Sequence, residues 1–356
     1  MNDLCHRPII VAGPCSAESL EQMTLVATRL AQIPSITMIR CGVWKPRTRP
    51  GGFEGMGETA LRWIQQLKQQ MPSLRFCCEV AIPSHVDLAM RYGIDALWIG
   101  ARTTGDPFSV HELAQALRGT PLPVMVKNAP SPDVGLWQGA IERLLQMDVT
   151  QVIAVHRGFT AFGENPLRNT PLWEVPIELK RRIPTLTMLC DPSHMAGHRD
   201  KVAQLSSAAL ALGFDGLMVE CHPDPDHALT DAQQQLSLPD MERLADSVVM
   251  RIHNADKADL LLHDLRMQID SVDNQLLHLL AQRMAISTDI ATIKRNNNIS
   301  VLQSSRWEQL LSNRMEQGLQ IGLSQPFIKD IFEKIHSESV RIQLEKNAIP
   351  QRPEQA

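Results

Sequence analysis

The sequence predicts a parallel (β/α)8 barrel of the TIM type over residues 1–253, followed by an all-α domain over 254–347. Three observations predict it. Short apolar, β-branched runs recur in the first part at intervals of about 20 to 40 residues, the spacing of strands separated by helices. Stretches of helical period lie between most of them. The third observation is how unevenly the chain-breaking residues are distributed. Of 23 prolines only Pro326, Pro350 and Pro353 follow residue 254, and of 19 glycines only Gly318 and Gly322. Proline and glycine punctuate loops and are excluded from helix interiors, so a turn-rich part precedes a helical one.

The eight candidate strands are Ile9 to Ala12, Thr37 to Ile39, Phe76 to Val80, Ala96 to Ile99, Val124 to Val126, Val152 to Val155, Thr187 to Leu189 and Leu217 to Val219. Candidate helices between them include Ser19 to Gln32, Glu58 to Gln70, Pro107 to Leu117 and Gln138 to Met147. Eight alternating units in this length suit a closed barrel. An open doubly wound sheet is the alternative, but no G-x-G-x-x-G follows an early strand.

Composition excludes several functions. A net charge of −4 without basic clusters argues against nucleic acid as a partner. No apolar run reaches the roughly 18 residues of a membrane span, and the start MNDLCHRP lacks the features of a secretory signal. A cytoplasmic protein acting on small molecules is expected. Seven irregularly spaced cysteines, with Cys77 and Cys78 adjacent, read as thiols rather than as a disulfide framework.

The residues at or just after the strands carry the functional signal: Cys15, Arg40 with Lys45, Glu79, Arg102, Lys127, Arg157, His194 and Glu220. A lone cation there is ordinarily a solvated loop residue. A polar, chemically competent residue after every strand is what a barrel enzyme needs, because its site forms at the carboxyl ends of the strands. Cys15, His194, Glu220 and Asp231 offer a thiolate, an imidazole and two carboxylates, which suits Mn, Fe, Co or Zn better than Mg or Ca. Arg40, Lys45, Arg47, Arg102, Lys127 and Arg157 are cations with few acids nearby in sequence, so a substrate with several negative charges, such as phosphates and a carboxylate, is implied.

These residues stand in motifs that resemble a known family. GPCSAES (Gly13 to Ser19), RCGVWKPRT (Arg40 to Thr48), GAR (Gly100 to Arg102), VKN (Val126 to Asn128), HRGF (His156 to Phe159), DPSH (Asp191 to His194) and the stretch from Val219 to Leu236 are similar to 3-deoxy-D-arabino-heptulosonate 7-phosphate (DAHP) synthases, in their short type I beta form. The resemblance covers about residues 5 to 250 in order. It implies condensation of phosphoenolpyruvate with erythrose 4-phosphate, the entry to the shikimate pathway. By position it implies Cys15, His194, Glu220 and Asp231 as metal ligands; Arg40, Lys45, Arg102, Lys127 and Arg157 as phosphoenolpyruvate contacts; and Lys45, Pro46, Arg47 and Thr48 as the erythrose 4-phosphate loop. Lys127 or Glu79 would steer a proton or water. The sibling 3-deoxy-D-manno-octulosonate 8-phosphate synthases carry a loop resembling Lys-Ala-Asn-Arg-Ser where this chain has Lys45-Pro46-Arg47-Thr48, so the four-carbon aldose is preferred. A Schiff base on Lys127, as in lysine aldolases, is a separate mechanism open at this point.

In the second part, Leu262, Leu265, Ile269, Val272, Leu276, Leu279, Ile286, Ile290 and Ile293 follow steps of three and four, with Arg283 in the one remaining place. That pattern predicts an amphipathic helix from Ala258 to Arg295, about 55 Å long, which needs a partner helix or subunit to cover its seam. A simple dimerising coiled coil would satisfy the periodicity, but Arg283 tells against it. Lys294, eleven residues on, points within about 20° of Arg283, and two inward cations call for an anion between them. Arg266 falls about 100° away from Arg283 and suits a pocket in a neighbouring protomer.

Leu265 to Arg283, IATIKRN (Ile290 to Asn296) with Arg306, and SESVRIQLE (Ser337 to Glu345) resemble the all-α (AroQ-type) chorismate mutases over about residues 258 to 346. That resemblance implies an intertwined homodimer and a pocket of Arg283, Lys294, Arg306, Ser339 and Gln343, completed by Arg266 of the other subunit. Lys294 and Gln343 would face the ether oxygen of chorismate. The chain departs from the family in having Trp307 and Gln303 where acids are common. A dimerising or effector-binding module without turnover is the alternative, and chorismate or prephenate bound there is expected to inhibit the barrel. Residues 348–356 are expected to be a flexible tail.

Overall fold

The computed structural model describes residues 8–45, 51–161, 163 and 165–347, with backbone alone at 250–264 and 347. The chain divides into two compact units, Met1–Asp256 and Lys257–Ala356.

In the first unit, β1 (Ile9–Gly13), β2 (Ile36–Cys41), β3 (Phe76–Val80), β4 (Ala96–Ile99), β5 (Val124–Lys127), β6 (Val152–His156), β7 (Thr187–Cys190) and β8 (Gly216–His222) pair in chain order, all parallel. The sheet closes as β8 returns to β1, in register from Ile9 opposite Gly216 to Gly13 opposite Glu220. All eight expected runs are strands, extended by a residue or more at several ends. A short β9 (Leu236–Ser237) pairs with the end of β8 and had no counterpart in the sequence reading.

Helices return the chain between strands: α1 (Leu20–Leu30), α2 (Glu58–Gln70), α3 (Pro83–Arg91), α4 (Ala101–Thr104), α5 (Pro107–Ala116), α6 (Val134–Gln146), α7 (Glu174–Arg182), α8 (Pro192–Ala196) and α9 (Val202–Ala211). Their starts have local causes. Ser19 accepts a hydrogen bond from the Gln22 amide at the head of α1, and Asp133 accepts one from Leu136, satisfying amides that a first turn leaves unpaired. That cap places the start of α6 at Val134, earlier than the expected Gln138.

Strand side chains alternate between two cores, as a period of two requires. Ile9, Val11, Met38, Cys77, Trp98, Met125, Ile153, Val155, Leu189 and Met218 form the barrel interior. Their neighbours, among them Ile10, Ile39, Phe76, Cys78, Leu97, Val126 and Leu217, pack outward against the helices. The same parity carried two residues past the interior layer gives Arg40, Glu79, Lys127, Arg157, Asp191 and Glu220. The barrel thus gathers six charged side chains at one end of its interior.

The last helices are α10 (Leu238–Asn296), α11 (Ser304–Gln320) and α12 (Gln325–Asn347). The long helix begins at Leu238, twenty residues before the expected start, because Pro239 falls in its first turn, where no amide bond is lost. Leu238, Met241, Leu244, Ala245 and Val248 join the first unit's outer core. In the second unit, Ser287, Ala291, Ser339 and Gln343 are buried. Gly318 of α11 lets α12 approach, since a Cβ there would stand 2.2 Å from Ile328 Cδ1. The apolar seam of α10 faces away from this packing: Leu265, Ile269, Val272, Leu276, Leu279, Ile286, Ile290 and Ile293 are all exposed, from 40% at Ile290 to 60% at Leu279.

Candidate active sites

At the carboxyl ends of the strands, buried ions come in pairs. Arg40 Nη2 lies 2.9 Å from Glu220 Oε1, both side chains almost fully buried, and the guanidinium sits 5.1 Å from the centre of the Trp98 ring. Lys127 Nζ lies 2.7 Å from Asp191 Oδ2, which is also 2.7 Å from His194 Nδ1. Asp191 further accepts the His194 amide at the head of α8, so one buried acid fixes a lysine, a histidine and the turn between them. With Nδ1 turned to Asp191, His194 presents Nε2 3.7 Å from Glu220 Oε1.

Beside this cluster, Cys15 Sγ and one carboxylate oxygen each of Glu220 and Asp231 lie within 4.8 Å of one another. Burial, reinforced by Glu220, pushes the Cys15 thiol up to about 12. A thiol this buried among acids ionises only if a further positive charge arrives, as a coordinated cation would supply. Neighbouring groups hold the candidate ligands in place. Gln234 donates to Glu220 Oε2 at 2.6 Å, Arg168 donates to Asp231 Oδ1 at 3.1 Å and to Gln234 at 2.7 Å, and the Cys15 amide donates to Gln235. Asp231 itself adopts a left-handed backbone, φ 45°, unusual for a residue with a side chain. Lys45 Nζ stands 3.2 Å from Cys15 Sγ and donates to the Cys15 carbonyl. Burial lowers the Lys45 pKa, but Cys15, Glu79 and Glu220 outweigh it and raise the net value, so this amine stays charged.

The cluster opens into a cavity of about 490 Å³ lined by Lys45, Glu79, Arg102, Lys127, Arg157, Arg168, His194 and Asp231 among others. Trp98 Nε1 donates to Glu79 at 3.1 Å, and a Cβ at Gly100 would stand 2.1 Å from Glu79 Oε1, so only glycine leaves this carboxylate its place. Arg157 donates to Asn169 at 2.7 Å and takes its backbone direction from Asn128, whose side-chain oxygen accepts the Arg157 amide. The structure therefore brings Cys15, Arg40, Lys45, Glu79, Arg102, Lys127, Arg157, His194, Glu220 and Asp231 to one end of the barrel. Pro46, Arg47 and Thr48 lie outside the described residues, as does 348–356.

The sequence reading missed Asp191, Arg168, Asn128, Asn169 and Gln234. Asp191 had a usable signal, since it continues the inward parity of Thr187 and Leu189. Arg168 and Asn169 lie in the long connection between β6 and α7, where no periodicity marks a direction.

In the helical unit, Arg283 donates to Ser339 Oγ at 2.5 Å, and Lys294 donates to the Val301 carbonyl at 2.7 Å. Burial lowers the pKa of both, with Arg314 adding to the effect at Arg283. Among the described residues Gln343 Oε1 is buried without a hydrogen-bond partner. Trp307 stacks on His336, ring centroids 4.0 Å apart. Arg266, Gln303 and Arg306 are exposed, and among the described residues the structure gives Arg266 and Arg306 no hydrogen bond or ion pair with this group.

Comparison with known proteins agrees with both halves. The profile of the DAHP synthetase I family matches residues 5–253, and that of chorismate mutase type II matches residues 265–344. A phospho-2-dehydro-3-deoxyheptonate aldolase of Thermotoga maritima is 31% identical over 252 residues, 68% of this chain and 72% of its own length. A 2-dehydro-3-deoxyphosphooctonate aldolase of Syntrophotalea carbinolica is 26% identical over 258 residues, 67% of this chain and 88% of its own. The crystal structure of the Thermotoga maritima DAHP synthase superposes with a TM-score of 0.61 at 28% identity, covering 71% of this chain and 69% of that one. Its truncated form gives 0.57 at 27% identity, over 71% and 87%.

Proposed function

Because the chain belongs to the DAHP synthetase I family and carries a chorismate mutase type II domain C-terminal to the barrel, we propose that it condenses phosphoenolpyruvate with erythrose 4-phosphate and water and, at a second site, rearranges chorismate to prephenate. The observation that carries the first half is the cationic cavity beside a thiol, an imidazole and two carboxylates. Both families are enzymatic, a transferase and an isomerase of aromatic biosynthesis. Among the described residues no helix is long and apolar enough to cross a membrane.

In the barrel, Arg102 and Arg157 with Lys45 and Lys127 hold the phosphate and carboxylate of phosphoenolpyruvate, with Arg40 pinned behind them by Glu220. Cys15, His194, Glu220 and Asp231 would hold a divalent cation of the Mn, Fe, Co or Zn kind, which when bound would supply Lewis-acid polarisation to the aldehyde of the second substrate. The enol C3 attacks that aldehyde carbon. The resulting alkoxide takes a proton from Lys127, whose Nζ is held 2.7 Å from buried Asp191. Water adds at C2 while Glu79, held by Trp98, accepts its proton, and the hemiketal phosphate then expels inorganic phosphate to leave the ketone. The Asp191 contact engages Lys127 Nζ and favours a proton-transfer role over a Schiff base. The four-carbon aldose rather than a pentose is favoured by the Lys45-Pro46-Arg47-Thr48 sequence.

In the helical domain no base is needed. Arg283 with Arg306 binds the two carboxylates, Lys294 and Gln343 face the breaking ether oxygen, and a second copy of the chain covers the α10 seam and brings Arg266. Prephenate or chorismate bound there lowers synthase turnover, provided that it binds two states of the chain unequally. Treatment with a chelator should abolish condensation, with recovery on adding Mn and no change in mutase turnover. Arg283→Ala should do the reverse. Condensation that survives complete metal removal would sink the metal-dependent reading, and a synthase rate unmoved by saturating prephenate would sink the regulatory one.

A further inference from the structure

The reading of the helical pocket leaves one imidazole without a role. His336 of α12 shares a face with Ser339 and Gln343, three and seven residues on, which at about 100° per residue fall within about 60° and 20° of it. Its ring lies flat on Trp307 of α11, planes 15° from parallel. The ring face is therefore occupied, and the edge that carries the nitrogens is left for a ligand. Among the described residues neither nitrogen makes a hydrogen bond. The surrounding charges are mostly of one sign. From α10 come Arg283 and Lys294; α11 brings Arg306 beside Trp307, and Arg314, which presses on Arg283. On α12 itself, Glu333 is paired with Lys329 and Glu338 with Arg341. Among the described residues no carboxylate pairs with Arg283 or Lys294; one meets a hydroxyl and the other a carbonyl.

We propose that His336 is a specificity-determining contact of this pocket, donating from its ring edge to a carboxylate of the dicarboxylate ligand that Arg283 and Arg306 bind and Lys294 faces. This rests on the reading of the pocket as a dicarboxylate site. In the free protein, burial together with Arg283 and Lys294 lowers the His336 pKa and keeps the ring neutral. A bound dicarboxylate replaces that repulsion with attraction, so the ring takes one proton from solvent as the ligand arrives. The Trp307 face beneath it then stabilises the imidazolium. Binding should therefore tighten as pH falls.

The test is calorimetric titration of the full-length protein with prephenate in two buffers of different ionisation enthalpy, for wild type, His336→Gln and Arg283→Ala. Wild type should take up as much as one proton per prephenate, with affinity rising by up to about tenfold per pH unit between pH 8 and pH 6. In His336→Gln both effects should vanish and affinity should fall about tenfold at pH 6. Absence of proton uptake in wild type overturns the proposal whatever the variants do. If Arg283→Ala loses prephenate while His336→Gln keeps both affinity and proton uptake, this proposal alone fails. If Arg283→Ala binds as wild type does, the dicarboxylate reading fails and takes the proposal with it.

Discussion

Arg40, fully buried, and Arg283, partly so, are both arginines at the centre of a site, yet they are held differently. Arg40 is buried against Glu220 and Trp98, and around it Lys127 meets Asp191 and Arg168 meets Asp231. Arg283 meets a serine hydroxyl, and the apolar seam of its helix is exposed. A closed barrel surrounds its strand ends with its own loops, so one chain can supply every counter-charge before substrate arrives. Two shorter helices cannot cover both sides of a long one, so the second site waits for a ligand and a second chain to complete it. The barrel is built to keep its shape with the site empty. The helical pocket should depend much more on what occupies it.

The sharpest way to break that comparison is at Asp191. Asp191→Asn keeps the bond to the His194 amide but removes the charge between Lys127 and His194. Breaking a buried pair from one side costs about 3–5 kcal/mol, so the barrel's unfolding midpoint should drop clearly. Synthase turnover should fall by roughly a thousandfold, because Lys127 and His194 lose the carboxylate that positions them. Mutase turnover should change less than about twofold, as expected for a site built from other residues. A variant with normal stability and synthase rate would show that the barrel does not rely on internal pairing.

A smaller effect is expected from Leu279→Glu, on the exposed seam. If a second copy covers Leu276, Leu279 and Ile286, a carboxylate there must be buried unpaired on association, at a cost of several kcal/mol. The protein should sediment as a monomer, with mutase turnover down by roughly tenfold or more and the synthase nearly unaffected. Normal mutase turnover in a demonstrated monomer would mean that one chain completes the pocket alone.

These two tests also mark what was legible in the sequence. The strands were, because β-branched runs separated by helical periods leave few alternatives. Charged strand-end residues were, but the rule of taking the most obvious donor after each strand chose His194 and passed over Asp191, which the alternation of β7 points inward. Arg168 and Gln234 were not legible, since both stand in irregular connections outside the strands and helices the pattern marks, and they meet each other across 66 residues of chain. In the helical part the apolar seam was plain. The pocket lies on the adjoining face, through Ser287, Ala291 and Lys294, whose small and polar residues carry no hydrophobic signal. Trp307 could be seen to depart from a pattern, but only packing pairs it with His336.

The smallest effect compares two histidines. His156 is buried among Trp137, Phe159, Trp173 and Phe214 and donates from Nε2 to the Pro171 carbonyl. Burial pushes its imidazole down to about 3. The unfolded chain protonates this residue near pH 6.5, and the native barrel does not until about pH 3. Above pH 6.5 the residue contributes no pH dependence. As pH falls from 6.5 the unfolded state binds the extra proton, and stability is lost at up to about 1.4 kcal/mol per unit, about 2 kcal/mol by pH 5. Urea unfolding of wild type and His156→Gln at pH 5, 6 and 7 should show a shallower loss in the variant, by close to one proton. Equal slopes would mean that the ring titrates in the native barrel. His336, half-buried with Arg283 and Lys294 lowering its pKa until an anion arrives, should move the other way: ligand raises its proton affinity, whereas at His156 burial outweighs even the pull of Asp191.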